Sequence, residues 1–324
     1  LPRKDTHQRE RAPKGDGHAM SAPAMNTPSG GIIAVGQGPD RHFKYVILLP
    51  AVFILLFIGI FPLVYTLIAS VQNITMLEED TSFHGLIHYR HLFEDARLWE
   101  SIGHTLLITG IALPIELGLG LLMALLFLEK LPGRPVFVAL LVLPTLIAPV
   151  VAGATWRLLF DHRYGPINQV LGWIAGEPVP ILWVINPAYV YPAIFIAEIW
   201  QWTPFMFLLL LAALSNVDKS QTEAAEIDGA STLTVFRRII LPAIWPVMAI
   251  ALLIRGLDLI RIFDVVWALT QGGPGTMTET LSIYTYIQGF RQFETSYTGA
   301  IAFMVIVALT VVVIWLLRRM EVHR

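Results

Sequence analysis

Six charged side chains interrupt runs that are otherwise apolar, and they are the groups best placed to do chemistry: Glu116, Glu198, Arg255, Asp258, Arg261 and Asp264. Arg157 lies near the end of a further apolar run. The last four of the six alternate in sign at a spacing of three. Helical neighbours three apart can meet, so the series can neutralise itself as an ion-pair ladder. Steps of three also drift around the helix axis, so four such residues cannot share one narrow face. Some are expected to pair along the helix while others turn to a cavity or a neighbouring helix. Carboxylates and guanidinium groups that line a cavity can hydrogen-bond a polyhydroxylated ligand. The segment Trp200-Gln201-Trp202-Thr203-Pro204 adds two indoles and two polar side chains. Indole faces pack against the C–H faces of sugar rings, although Trp also anchors membrane interfaces and fills interiors. Trp200, Gln201, Trp202, Arg255, Asp258, Arg261 and Asp264 are therefore the candidates for lining a ligand path, with a purely structural ladder as the competing reading. Glu116 reads instead as a buried acid bonded to a neighbouring helix.

No catalytic constellation accompanies them. The chain has no Cys, hence no disulfide framework, thiol nucleophile or Cys-based metal site. Its nine His are scattered, and His84, His88 and His91 read as solvated loop residues. There is no Walker A sequence, HExxH or nucleophile elbow. Gly272-Gly273-Pro274-Gly275-Thr276 lacks the Lys and the following helix start that a phosphate cradle needs, so it reads as an external turn. Asn73-Ile74-Thr75 fits a glycosylation acceptor and is read as a chance match. A net charge of −2 makes no case for nucleic acid. The chain is expected to be no enzyme and to bind no metal or cofactor itself.

The elements that carry these residues are membrane helices. Of 324 residues, 55% are hydrophobic and only 14% charged, where soluble domains carry roughly 25% charged residues. Residues 1–40 are polar and rich in Gly, Pro and Ser, and read as a disordered tail without the apolar core of a secretory signal. Apolar runs follow at about 45–71, 102–128, 135–159, 187–214, 242–267 and 297–317. At ~1.5 Å per residue each can cross ~30 Å of hydrocarbon. Breaks fall at Pro132-Gly133, Gly165-Pro166, Asn186-Pro187 and Gly272-Gly273-Pro274. The expectation is an all-α membrane protein of six transmembrane helices, with residues 41–324 as the membrane domain. If the N-terminus is cytoplasmic, fifteen Lys and Arg fall inside and four outside. The positive-inside rule thus places both termini, and the polar loop at 216–242, in the cytoplasm.

That loop, NVDKSQTEAAEIDGASTLTVFRRIILP, carries seven charged residues between two apolar runs. Ser220-Gln221-Thr222-Glu223 fits a capping box, and Gly229 suits the left-handed turn that ends a helix. Ser231 can cap a second short helix with Arg237 and Arg238 near its end, and Pro242 opens the next apolar run. The reading is helix, sharp glycine turn, helix, between two spans.

Glu223, Ala224, Ala225, Gly229, Ile239, Leu241 and Pro242 resemble the EAA loop of permease subunits in bacterial ATP-binding-cassette (ABC) importers, and Asp228-Gly229-Ala230 resembles the sugar-permease variant. Arg255-x-Leu257-Asp258, Phe263-Asp264 and Leu269-Thr270-x-Gly272-Gly273-Pro274-Gly275 are similar to the fifth-span block of sugar permeases. Trp200-x-Trp202-Thr203-Pro204-Phe205 and Glu116 to Leu121 look like their fourth and second spans. The resemblance, over residues 44–320, implies a type I ABC importer transmembrane domain for a sugar or polyol in the bacterial inner membrane. It implies as partners a second, dissimilar permease, an ATPase dimer that holds ATP and Mg, and an extracytoplasmic solute-binding protein. Glu223, Ala224, Ala225, Asp228, Gly229 and Ala230 then dock the ATPase. The alternative is a proton-coupled secondary transporter with Glu116, Glu198, Asp258 and Asp264 as its relay. Such proteins commonly carry internal repeats, and none is evident here.

Overall fold

The computed structural model describes residues 40–75, 79–129 and 132–321. Contacts divide the chain into two units, Leu1–Leu56 and Phe57–Arg324. The expected disordered tail lies outside the described residues except for its last position, Asp40, and so do Lys130 and Arg324 of the charge count.

Helix α1 runs Asp40–Ser70, and nearly all its large apolar side chains from Tyr45 to Ile68 are exposed. An apolar exterior is what a helix solvated by lipid requires, because its backbone groups bond internally. A two-stranded antiparallel hairpin follows, β1 (Gln72–Ile74) with β2 (Glu79–Phe83). The other elements of the described chain are helical, as expected, and the Ile74 N–H donates to Ser296 Oγ at 2.8 Å. Next come α2 (Ile87–Glu94) and α3 (Ala96–Leu126). Asp95 caps α3 by accepting from the N–H groups of Arg97 and Leu98 at 3.0 and 3.2 Å. The buried residues of α3 recur every three or four positions, from Leu98 through Thr105, Ala112 and Glu116 to Ala124. They form the stripe a helix uses to pack on one side. Along it α3 lies against α7 (Pro187–Ser215). The approach is close: a Cβ on Gly120 would stand 2.6 Å from Met206 Cβ.

The expected span at 135–159 is bent. Helix α4 (Arg134–Val142), a 3-10 turn at Leu143–Leu146 and α5 (Pro149–Leu159) meet at 96°. Ile147 and Ala148 are extended, with ψ of 132° and 135°. A residue before proline is driven from the helical region, and Ala148 precedes Pro149. The polar groups freed at this break are met by α7. The Gln201 amide donates to the Ile147 carbonyl at 2.8 Å, and Thr145 Oγ donates to the Gln201 carbonyl at 3.0 Å.

After α5 the chain forms α6 (Pro166–Ala175) and then α7, capped by Asn186. Beyond α7 come α8 (Lys219–Ile227), α9 (Thr232–Val235) and α10 (Leu241–Ile260). A π turn at Phe236–Ile240 joins α9 to α10, so one continuous helix covers Thr232–Ile260. Pro242 therefore does not open the span. It has no N–H and its ring crowds the carbonyl four residues back, and the wider π turn just ahead relieves both. The span also ends before the expected residue 267, because helical geometry stops at Ile260 and α11 (Asp264–Leu269) begins separately. Helix α12 (Leu281–Tyr286), a π turn at Ile287–Arg291 and α13 (Thr295–Glu321) complete the described chain.

Among the described residues five helices are long and apolar enough to cross a membrane, and counting the bent α4–α5 pair as one span gives six. The protein is thus a multi-pass helical membrane protein with one small hairpin. Its densest packing is around α7, where Ile194, Ala197, Phe207 and Leu210 are fully buried, and where α3, α5, α10 and α11 all make contact.

Candidate functional site

Three helices bring three charges together at the centre of the bundle. Arg255 of α10 donates from Nε and Nη2 to the two oxygens of Glu116 on α3, at 2.8 and 3.0 Å. Its Nη2 also donates to Glu198 Oε1 on α7. The side chains are only 2%, 0% and 2% exposed, so each charge is held by its partners, as a buried ion must be. A fork of guanidinium donors on a carboxylate fixes both groups in one plane. Glu198 Oε2 is buried and has no hydrogen-bond partner among the described residues. The Arg255 guanidinium also lies 4.5 Å from the Trp202 ring centroid, within cation–π range.

The alternating series of α10 is therefore no self-neutralising ladder. Arg255 leaves it for α3 and α7. Asp258 and Arg261 pair with each other at 3.2 Å, three apart and largely exposed. Asp264 stands beyond the helix break, in the first turn of α11. These residues nevertheless surround one space: a cavity of about 310 Å³ lined by Pro149, Glu198, Trp202, Arg255, Asp258, Arg261, Phe263 and Asp264 among others.

Trp200 and Gln201 do not line that cavity. Successive helical residues turn by ~100°, so Trp200 and Trp202 face nearly opposite ways. Trp200 meets Trp156 edge to face at 5.5 Å. Gln201 is fully buried and spent on the α4–α5 break.

At the end of the bundle where α7 closes, α8 is capped by Asp218, whose carboxylate accepts the Ser220 N–H at 2.9 Å. The expected capping box from Ser220 is thus replaced by an acid two residues earlier, which reaches the free N–H of the second helical residue directly. The Ser220 hydroxyl and N–H hold the Asp218 carboxyl below its ordinary range. Gly229 has a φ of +80°; its N–H donates to the Glu226 carbonyl at 3.0 Å, and that of Ala230 donates to Ala225 at 2.9 Å. This is a left-handed helix stop of the kind glycine favours. Ser231 then caps α9 through the Thr234 N–H at 3.4 Å. Glu223, Ala224, Asp228 and Gly229 are exposed, Ala225 and Ala230 half-buried, and Ile227 is 86% exposed. A hollow of about 990 Å³ separates α8 from the ends of α3 and α7, lined by Leu125, Arg134, Leu214, Glu223, Glu226, Leu233 and Phe236 among others.

At the opposite end lies a network that sequence reading missed. The Asp95 carboxylate that caps α3 also accepts the hydroxyls of Tyr284 and of Tyr297, the latter at 2.5 Å. Burial opposes its charge, but these two hydroxyls and the Leu98 and Arg97 N–H groups together hold its carboxyl below the usual value. Beside it Arg97 forks onto Glu279 at 3.0 and 2.7 Å. Asp before Ala96-Arg97-Leu98 is a legible cap, but its tyrosine partners lie 189 and 202 residues away, beyond any local signal. The Gly272–Thr276 turn lies between α11 and α12, with φ of 89° at Gly272 and 60° at Gly275, and Thr278 Oγ donates to the Gly273 carbonyl at 2.7 Å. Among the described residues no group of His, Cys, Asp and Glu is arranged to hold a metal ion.

The chain is similar to known proteins over most of its length. It is 36% identical over 276 residues, 84% of this chain and 88% of the other, to a probable ABC transporter permease protein, y4oQ, of Sinorhizobium fredii. To the trehalose/maltose transport system permease protein MalF of Thermococcus litoralis it is 34% identical, covering 76% and 83% of the two chains. Its fold matches a chain in the crystal structure of a bacterial alginate ABC transporter bound to its periplasmic protein, with a TM-score of 0.75, 24% identity, and 85% and 92% of the chains covered. Residues 97–321 match the family described as the inner membrane component of binding-protein-dependent transport systems. With that match across the whole bundle from α3 onward, the chain belongs to this family and is an ABC transporter permease.

Proposed function

We propose that this chain is one of two dissimilar permease subunits of an ATP-driven importer for a neutral sugar or polyol, and that it docks the ATPase through α8 and the Gly229 turn. The observation that carries this reading is the loop itself. Helix α8 has no buried residue, stands over a hollow of about 990 Å³, and is closed by a left-handed glycine. A capped, charged helix held away from its own bundle presents Glu223, Ala224, Ala225, Asp228, Gly229 and Ala230 to a separate protein. That protein supplies ATP, Mg and the hydrolytic chemistry, and this subunit receives the motion. The excess of Lys and Arg supports a cytoplasmic side for the loop and both termini, the side on which an ATPase works.

The sugar or polyol reading rests on the ligand named for the Thermococcus relative and on the chemistry of the central cavity. Trp202 offers a face for a ring, and Asp258, Arg261 and Asp264 offer acceptors and donors for hydroxyls. The mixed charges disfavour a strongly anionic cargo. The extracytoplasmic binding protein selects and delivers the ligand at the end that carries Asp95 and Glu279. A proton relay is the weaker reading, because Glu116 and Glu198 are committed to Arg255.

The test is a pull-down of the tagged chain from its native membrane. A second six-helix permease and an ATPase should come with it, and Glu223→Lys should weaken or abolish recovery of the ATPase. Recovery of the chain alone or as a homodimer, with full proton-driven uptake in vesicles, would refute the proposal.

A further inference from the structure

Helix α6 is amphipathic in the wrong sense for a segment bathed in water. Its inward face carries Asn168, which is only 7% exposed and donates from Nδ2 to the Ile181 carbonyl at 2.9 Å while accepting the Trp183 indole N–H at 2.8 Å. Ile167 on the same side packs against the central apolar cluster around Phe160 and Ile194. The outward face carries Val170, Trp173 and Ile174, at 54%, 84% and 70% exposure. These positions follow the i, i+3, i+4 rule and so form one continuous apolar stripe.

The place of the helix in the chain limits what can cover that stripe. Ten residues are too few to cross a bilayer. Helix α5 ends at Leu159 and α7 begins at Pro187, so α6 joins two membrane-spanning segments at the end of the bundle away from α8. The Gly165 N–H donates to the Asp161 carbonyl at 2.9 Å, which turns the chain tightly and seats α6 directly beyond α5. Exposed apolar side chains also flank α6 along the chain, Leu158 near the end of α5 at 73% and Tyr164 just before α6 at 81%. Polar and charged groups, among them His162, Arg163, Gln169 and Glu177, border the groove beside Trp173. An indole between apolar neighbours and a polar border is the arrangement that favours the headgroup boundary of a bilayer.

We infer that α6 is an interfacial anchor whose Val170, Trp173 and Ile174 insert into the outer lipid surface, tethering the bent α4–α5 span and the start of α7. The occupant of the stripe is the bilayer, and not the binding protein or the sister permease.

The absence of Cys makes the test direct. Trp173→Cys, Ile174→Cys and Glu177→Cys each create a single thiol in this chain for a nitroxide label; any Cys of the partner subunits is first replaced by Ser. The assembled transporter is reconstituted in nanodiscs of phosphatidylcholine and phosphatidylglycerol, with and without its binding protein. Collisions with oxygen, which concentrates in lipid, are compared with those of a nickel chelate, which stays in water. Labels at 173 and 174 should favour oxygen at a depth of roughly 5–10 Å below the headgroups, while the label at 177 favours nickel, and the binding protein should change neither. Labels at 173 and 174 that match 177 would overturn the anchor. Loss of access to both reagents would also overturn it: if it required the binding protein the stripe would be that protein's docking face, and if it did not, the sister permease would cover it. Uptake need not change in any of these variants, so the result stands apart from the transport reading.

Discussion

Replacing Arg255 with Met should be among the most damaging single changes in this protein. Arg255 makes three charge-assisted hydrogen bonds, two to Glu116 and one to Glu198, and all three side chains are essentially sealed from solvent. Met fills much of the aliphatic volume but leaves two carboxylates facing each other with no cation between them. Breaking a buried ion pair from one side costs about 3–5 kcal/mol, because the orphaned charge keeps its desolvation penalty. At roughly 2–4 °C per kcal/mol for a chain of this order of size, the melting temperature should fall on the order of 10 °C. The assay is thermal unfolding of the reconstituted complex, followed by tryptophan fluorescence. The combined variant Arg255→Met, Glu116→Gln, Glu198→Gln removes every charge at once and should recover most of the loss, since neutral replacement of a whole buried ion cluster is often tolerated. A parent-like melting temperature for the single variant would refute the reasoning, as would a combined variant no better than the single one.

Three further outcomes can be checked. At position 229, with φ of +80° and nothing within 4 Å of an added Cβ, only backbone strain matters. Asn should therefore couple ATP hydrolysis to uptake almost as Gly does, Ala should lose about 1 kcal/mol, and Val should lose more and uncouple most; equal coupling across the series in proteoliposomes would count against the docking role. Asp258→Asn should leave assembly and melting unchanged, because its pair with Arg261 is exposed, yet raise the concentration for half-maximal uptake about tenfold if the carboxylate bonds the ligand; unchanged uptake would remove it from the path. Asp95 has a lowered carboxyl pKa in the folded protein, so its contribution to stability is present above the unfolded value of about 3.9 and is lost as pH falls through the folded one. The melting difference between parent and Asp95→Asn should be flat from pH 8 to about 5 and shrink only below about 4; a difference that disappears near neutral pH would contradict this.

The residues whose outcome was legible in advance are those governed by near neighbours. Gly229 had to sit where a helix stops, because only a residue without Cβ enters the left-handed region freely, and its φ of +80° agrees. Ser231 caps a helix three residues from itself, as its position suggested, and the break read at Asn186-Pro187 is where α7 begins. The apolar runs became helices because lipid leaves the backbone no other partner. Even the misplaced cap was a local miss: Asp218 and Ser220 are both capping residues, and only backbone geometry chose between them.

Distance along the chain marks where legibility ended. Spacing three in Arg255, Asp258, Arg261 and Asp264 allowed pairing within one helix, but it carried no information about Glu116 and Glu198, 139 and 57 residues away. Packing α3, α7 and α10 together decided that Arg255 leaves the series, and ending α10 at Ile260 decided that Asp264 belongs to another helix. Trp200, Gln201 and Trp202 were all candidates for one ligand path, yet a rotation of ~100° per residue sent three neighbours to three environments. Sequence alone determined that this is a helical membrane protein with an exposed, glycine-broken loop, because hydrophobicity and helix stops are short-range properties of the chain. Only the tertiary structure decided which charges neutralise which and which side chains share the central cavity, because a buried ion is held by whichever helix packs against it.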